Sequence, residues 1–321
     1  MDSATKPARA WMAIGTVSRL EALRILTQYD SSNMHHDGDT SSRCHWSVFI
    51  LARIFSPQFP DFQEAVETVP GYPLSAPLPP PLPSGSDENY PPDLFNPEEM
   101  ARDLGINAYY IKMLSVWGKL SFYLHEIRRG KVEAPWSPDS TYTRLNVEVY
   151  ECEAQLTQQH LFRNAAFPKR SLAELAEQQQ YWNPWIAMQF IAHASPALLN
   201  HPFIHLVVMR GNHGIPQSRH FLQQIVDQAL FHSGWVFRFV QACEDLPFII
   251  NDPMIGHLVA ATATIPWIFQ FASDSKVSKK ATEDLGKCER FLGRMSTMWP
   301  HISQKVYHPA PPPQNRPLPY I

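Results

Sequence analysis

Residues 178–209 read QQQYWNPWIAMQFIAHASPALLNHPFIHLVVM and contain no Asp, Glu, Lys or Arg. A run of this length is sufficient to cross a bilayer. However, Pro184, Pro196 and Pro202 interrupt it, and it carries three histidines. Helices that are apolar on all sides also occur at the centre of large helical proteins. We therefore expect a buried core segment here, with helix breaks near the prolines.

A second uncharged stretch, residues 254–273, has the same character. It contains His257, Pro266 and Gln270 within about the minimum spanning length. The chain as a whole has 321 residues, of which 44% are hydrophobic and 12% aromatic. This composition is typical of a globular protein with a large core, so we expect no membrane span.

Helical periodicity recurs along most of the chain, with apolar side chains three and four residues apart. Leu145, Val147 and Val149 alternate as in a strand, but the longer window around them fits a helix better. The sequence therefore predicts an all-α fold, a single large irregular helical domain over residues 1–308. The predicted helices cover residues 8–28, 43–55, 106–129, 145–161, 181–194, 218–243, 254–272 and 278–299.

Two proline-rich segments stand apart from this pattern. Residues 70–97 contain ten prolines, and the final residues 309–321 contain six. Proline lacks the backbone donor that a helix or sheet interior needs, so polyproline II and turns are expected. We predict a mobile surface loop at 70–97 and a disordered tail at 309–321. A docking site for a proline-reading domain is the alternative for the loop.

Charge and cysteine spacing exclude a free-standing nucleic-acid-binding module. The net charge is −3, with 27 basic and 30 acidic side chains, whereas such modules carry a basic excess. Cys44, Cys152, Cys243 and Cys288 are far apart and form no CxxC pair. Zinc fingers and zinc clusters need thiolates close enough to surround one ion. We expect no direct DNA binding, no metal site, and thiols kept reduced.

No catalytic constellation emerges from the remaining polar residues. The densest group of metal-ligating residue types, residues 35–45, lies mostly in a polar stretch and matches no tetrahedral spacing. Residues 210–214 contain glycines but no phosphate-binding motif, and no hydrolase, metalloprotease or kinase signature is present. The sequence therefore predicts no catalytic residue and no cofactor.

The most distinctive functional feature is the coincidence of prolines and large aromatic residues in the uncharged stretches. Prolines at helix ends or kinks prevent neighbouring helices from packing along their whole length. We therefore predict an apolar cavity between residues 181–209 and 247–272, where a small apolar metabolite would bind. The candidate ligand-binding residues are Trp185, His193, Trp235, His257 and Trp267.

Five passages, in order, resemble the middle homology region of fungal zinc-cluster (Zn(2)-Cys(6)) transcription factors. Residues 8–26 (ARAWMAIG continuing to RIL) resemble its R-x-W-x-x-x-G helix, and residues 43–53 (RCHWSVFILAR) resemble its R-x-x-F-W-S-x-F-x-L-D-R helix. Ala52 replaces the usual Asp there. The other three are residues 199–203 (LNHPF), residues 251–256 (NDPMIG) and residues 288–300, which end in Trp-Pro.

The resemblance implies an effector-sensing, partner-contacting regulatory domain in the nucleus, although the basic six-cysteine zinc cluster is missing. Its partner would be a small apolar metabolite or another transcription regulator. Two alternatives remain open. In the first, the chain is a cofactor-independent enzyme, such as a cyclase of fungal secondary metabolism; the alternative location to the nucleus is the cytoplasm. Otherwise it would pair with an intact regulator and block it.

Overall fold

The computed structural model describes residues 5–29, 38–55, 71–72, 77–81, 97–131, 133–211, 219–300 and 302. Within these ranges the chain forms helices and turns and no strand. The predicted all-α class is confirmed. No helix in the described ranges is long and apolar enough to cross a membrane.

Most of the structure consists of α-helices of unequal length. They are α1 (Thr5–Tyr29), α2 (Gly38–Phe55), α3 (Pro97–Ala101), α4 (Ile106–Arg128), α5 (Thr141–Gln155), α6 (Phe162–Ala165), α7 (Leu172–Glu177), α8 (Gln179–Leu199), α9 (Pro202–Gly211), α10 (Arg219–Asp245), α11 (Pro253–Thr262), α12 (Thr264–Phe269) and α13 (Ser275–Met298). Two 3-10 turns, Gln158–His160 and Phe167–Lys169, flank α6.

Helix α8 is the centre of the core, as the uncharged run predicted. It packs against α4, α5, α10 and α11, and Trp182, Trp185 and Phe190 are completely buried. The predicted breaks at Pro184 and Pro196 are wrong, because both residues lie inside the continuous helix. Each proline costs one backbone hydrogen bond, and apolar burial on every side of α8 offsets this loss. Pro202 behaves as expected and begins α9.

The other helices surround α8 in two groups. Helices α1 and α2 pack together, and α2 joins the body through α4. Helix α13 lies against α10, α11 and α12 on another side. The predicted helix over 254–272 is divided at Ala263 into α11 and α12.

Helices α2 and α5 begin earlier than the periodicity predicted. Helix α2 begins at Gly38, where Asp39 occupies the first turn and forms an ion pair with Arg43 at 2.9 Å. Helix α5 begins after Ser140, whose side-chain oxygen accepts a hydrogen bond from the Thr143 N–H. These are polar N-terminal signals, which an apolar pattern does not detect.

The proline-rich loop is held to the body where it is described. The Trp46 indole donates to the Gly71 carbonyl at 3.2 Å, and the Tyr72 ring stacks on the Trp46 ring. Further along, Arg170 donates to the Pro81 carbonyl. Residues 71–72 and 77–81 are non-helical, as predicted, whereas Pro97 begins α3. The mobility of the loop stays a prediction. The tail 309–321 and residues 35–37 lie outside the described residues.

Candidate functional site

Three of the five predicted ligand-binding residues meet in one aromatic cluster around Phe162 of α6. The Phe162 ring stacks on Trp185 of α8 with 6.2 Å between centroids. Its edge contacts Trp235 of α10 at 5.8 Å and Phe239 of α10 at 5.1 Å. Trp185 is fully buried, whereas Phe162 and Trp235 are half-buried. The cluster therefore reaches from the core to the surface.

The third predicted residue, His193 of α8, lies inside a cage of rings from α10. Its imidazole is nearly parallel to the Trp235 ring, at 9° and 5.4 Å. Phe239 lies 5.6 Å away and His232 5.4 Å away, measured between ring centroids. An imidazole in this position is largely removed from water.

The two histidines of the cage contact each other directly. The Nδ1 atoms of His193 and His232 lie 3.1 Å apart, which is a hydrogen bond in which one ring donates and the other accepts. Burial lowers the pKa of His193 to about 3, and the neighbouring His232 adds to the effect. Burial also lowers the pKa of His232 to about 4. Both imidazoles are therefore neutral at physiological pH.

The outer side of the cluster is a single face of α10. Phe231 is 59% exposed, and its ring meets the His232 ring edge-on at 5.0 Å. The Cζ atom of the exposed Arg238 lies 4.9 Å from the centre of the Trp235 ring, a cation–π arrangement. The site thus combines exposed aromatic surface, a guanidinium group and a neutral histidine pair.

The remaining two predicted residues lie on other helices. His257 is half-buried on α11, and Trp267 is half-buried on α12, where its ring meets Phe271 edge-on at 6.4 Å. The cluster around Phe162 is formed by α6, α8 and α10. The predicted cavity between residues 181–209 and 247–272 stays a prediction.

Five residues of this site were not predicted: Phe162, Phe231, His232, Arg238 and Phe239. The signal for the last four was present, because each of them lies three or four positions from Trp235 along α10. Phe162 lies in a four-residue helix. No periodic pattern exists over so short an element, so its role was not visible in the sequence.

A second polar network lies nearby, and two of its three side chains are buried in the core. The His160 ring is fully buried; its Nδ1 is 2.7 Å from the Tyr181 hydroxyl, and its Nε2 is 3.2 Å from both Asp103 carboxylate oxygens. Burial pushes the pKa of Asp103 upward, but hydrogen bonds from His160 and the Gly105 N–H outweigh it and hold the pKa low. Tyr181 is also buried, so this network links the turn before α4 to α8 mainly through buried hydrogen bonds.

His201 and His205, noted for their four-residue spacing, do not converge on a common point. His201 Nδ1 accepts from the Phe203 N–H, so its Nε2 donates to the Thr264 hydroxyl at 3.0 Å. His205 Nε2 donates to the Leu199 carbonyl at 2.9 Å. Each imidazole therefore has its own structural partner at the start of α9.

Neither a metal site nor a similarity to known proteins assigns a function to this aromatic cluster. Among the described residues, no group of three or more His, Cys, Asp or Glu side chains is arranged to hold a metal ion. No family profile, no curated protein and no solved structure matches the chain. The interpretation of the site therefore depends on its own geometry.

Proposed function

We propose that this chain is a regulatory domain that binds a small, largely apolar ligand at the cluster of Phe162, His193, His232, Trp235 and Phe239. The observation that carries the proposal is the neutral histidine pair inside an aromatic cage that reaches the surface. Aromatic faces supply contact area, and the few polar atoms orient a ligand.

The pKa values favour binding over proton-transfer catalysis. A general base works best when its pKa is near the operating pH. The pKa values of His193 and His232, about 3 and about 4, are far below neutrality. Neutral imidazoles still offer a hydrogen-bond donor and an acceptor, which is sufficient for recognition.

The biological setting of this proposal comes from the resemblance to the middle region of fungal zinc-cluster regulators. In that setting the ligand is an effector, and the domain transmits its presence to another transcription regulator in the nucleus. The DNA-reading function belongs to that partner. Cys44, Cys152, Cys243 and Cys288 lie on four different helices, α2, α5, α10 and α13, consistent with thiols that do not form a zinc cluster.

The experiment is a thermal-unfolding series with 2-naphthamide, a neutral bicyclic aromatic amide. Binding to the folded state raises the melting temperature by mass action. We expect the rise in the wild type and in Trp267→Ala, and no rise in Trp235→Ala. Loss of the rise in Trp267→Ala alone, or no rise in any of the three proteins, contradicts the proposed site.

One observation favours a second function, a cofactor-independent cyclase. The rings of Phe162, Trp235 and Phe239 contact one another at 5.1–6.0 Å between centroids, and such an apolar aromatic surface can hold a flexible polyene in a folded conformation. Such an enzyme needs orientation more than acid–base groups. Incubation with a linear polyene that cyclises without losing a leaving group, in the absence of any cofactor, tests it by mass spectrometry. A cyclic product formed by the wild type and lost in Trp235→Ala would establish this function.

A further inference from the structure

The outer face of α10 forms a short strip with different chemistry at its two ends. Phe231, Gly234, Trp235 and Arg238 follow the spacing i, i+3, i+4 and i+7, which places them on one face. At a rise of 1.5 Å per residue the strip is about 10 Å long. Phe231 and Arg238 are exposed, and Trp235 is half-buried between them. The strip is therefore aromatic along most of its length and cationic at one end.

The charge of Arg238 is not neutralised by a carboxylate within the described part of the chain. Along α10 the nearest carboxylates are Glu244 and Asp245 beyond Arg238 and Asp227 on the other side, and all three already have partners. Asp245 accepts from Gln241 at 2.7 Å. Asp227 accepts from Gln223 beyond the Phe231 end of the strip, and Glu244 accepts from Arg294 of α13 at 2.7 Å. The guanidinium group rests on the Trp235 ring and keeps its donors available.

Gly234 leaves open space in the middle of the strip. No heavy atom outside its own turn lies within 4 Å of the position that a Cβ atom would take. Glycine inside a helix costs about 1 kcal/mol relative to alanine. The fold itself therefore does not need glycine here, and its absent side chain allows a flat molecule to approach the helix backbone between Phe231 and Trp235.

From these features we propose that the ligand of this site is a planar aromatic carboxylate. Its rings lie over Gly234 against Phe231 and Trp235, and its carboxylate accepts hydrogen bonds from Arg238. A guanidinium group binds a carboxylate through paired, charge-assisted hydrogen bonds. A fused bicyclic acid such as 2-naphthoate matches the length of the strip. This inference rests on the proposed function, adds the chemical class of the ligand, and extends the site from the aromatic cluster to the outer face of α10, with Trp235 belonging to both.

The experiment is calorimetric titration of the full chain with two probes of equal shape, 2-naphthoate and its neutral amide. We expect 2-naphthoate to bind the wild type about tenfold more tightly than the amide does, because only the acid forms a charge-assisted contact with the solvent-accessible Arg238. Arg238→Gln should remove this preference. Arg219→Gln changes the same charge on the same helix, 16 residues before Trp235 and thus about 24 Å away, and should keep it.

A second pair of variants separates binding from stability. Gly234→Ala should raise the melting temperature yet weaken both probes severalfold, because the new methyl group occupies the ligand's position. Gly293→Ala of α13, which also has open space around it, should raise the melting temperature and leave both affinities unchanged.

Different results would overturn the carboxylate inference and the proposed binding function. Equal affinities for acid and amide, or a preference that survives Arg238→Gln, overturn the carboxylate inference. If both probes still depend on Trp235, the proposed binding function stands. Failure of both probes to bind overturns the inference and the proposed function together.

Discussion

The Nδ1 atoms of His193 and His232 lie 3.1 Å apart inside an aromatic cage, and this contact links the stability of the fold to pH. Both pKa values are below 6.5 in the folded state. Between about pH 6.5 and pH 4 the unfolded chain binds more protons than the folded one. The free energy of unfolding should therefore fall as the pH drops through this window, by up to about 1.4 kcal/mol per pH unit for each histidine.

Urea unfolding at successive pH values checks this prediction. His232→Gln keeps a hydrogen-bonding group beside His193 but removes one titrating site, so the slope should become shallower. His220→Gln removes an exposed histidine of the same helix and should keep the wild-type slope. Identical slopes in the wild type and His232→Gln would contradict the buried neutral pair.

The buried network around His160 predicts a difference between two tyrosines. Tyr181→Phe removes the hydroxyl that pairs with His160 Nδ1 and leaves that nitrogen buried without this partner. We expect the free energy of unfolding to fall by about 1–3 kcal/mol. Tyr150→Phe, at a side chain that is 56% exposed on α5, should change it little. Equal effects of the two substitutions in urea unfolding would argue against the network.

Helices α2 and α4 approach closely at Arg53 and Gly118. A Cβ atom on Gly118 would lie 2.5 Å from Arg53 Nη1 and 2.8 Å from its Cδ. Arg53 is buried, and burial lowers its pKa to about 10. Because a buried guanidinium has little room to move, Gly118→Ala should destabilise the fold by about 1–3 kcal/mol.

The matched control for Gly118 is Gly293, because the same substitution should have the opposite sign there. Gly293→Ala adds a methyl group in open space and should stabilise α13 by about 0.5–1 kcal/mol. Thermal unfolding of both variants measures the two signs. A Gly118→Ala variant as stable as Gly293→Ala would show that α2 does not pack on α4 as described.

The four cysteines should divide into groups by their reaction with Ellman's reagent. Cys44 is exposed on α2 and should react in the native protein. Cys243 and Cys288 are buried, and burial raises the pKa of both thiols, that of Cys288 to about 12. Since the thiolate is the reactive form, these two should react only after unfolding. Cys44→Ser should remove the fast phase of the reaction. If the fast phase persists in this variant, Cys44 is not the exposed, reactive thiol.

The sequence predicted individual helices best where one amphipathic pattern continued over many turns. Helix α10 was expected over 218–243 and spans Arg219–Asp245. Helix α8 was cut short because proline is a local signal, whereas the packing that keeps this helix continuous comes from distant segments. Residue-by-residue helix propensities do not include this stabilisation by tertiary packing.

The residues of the site could be predicted only in part from the local sequence. Trp185, His193 and Trp235 were predicted from the coincidence of prolines and large aromatic residues, and they do meet. Phe162, which joins them, lies in a short element without periodicity. The contact between Asp103 and His160 connects residues far apart in the chain. Such contacts are set by the three-dimensional arrangement of α4, α6 and α8, and no spacing in the sequence encodes them.

The most direct test of the central claim is nitrogen-detected NMR of the histidine rings at pH 7, before and after addition of 2-naphthamide. We expect neutral imidazoles for His193 and His232, with a proton on Nδ1 of only one ring, because one Nδ1 donates to the other. The ligand should shift the resonances of both rings and leave those of His160 unchanged. Imidazolium signals from either residue at pH 7, or no response of this pair to the ligand, would contradict a ligand site built on a neutral histidine pair.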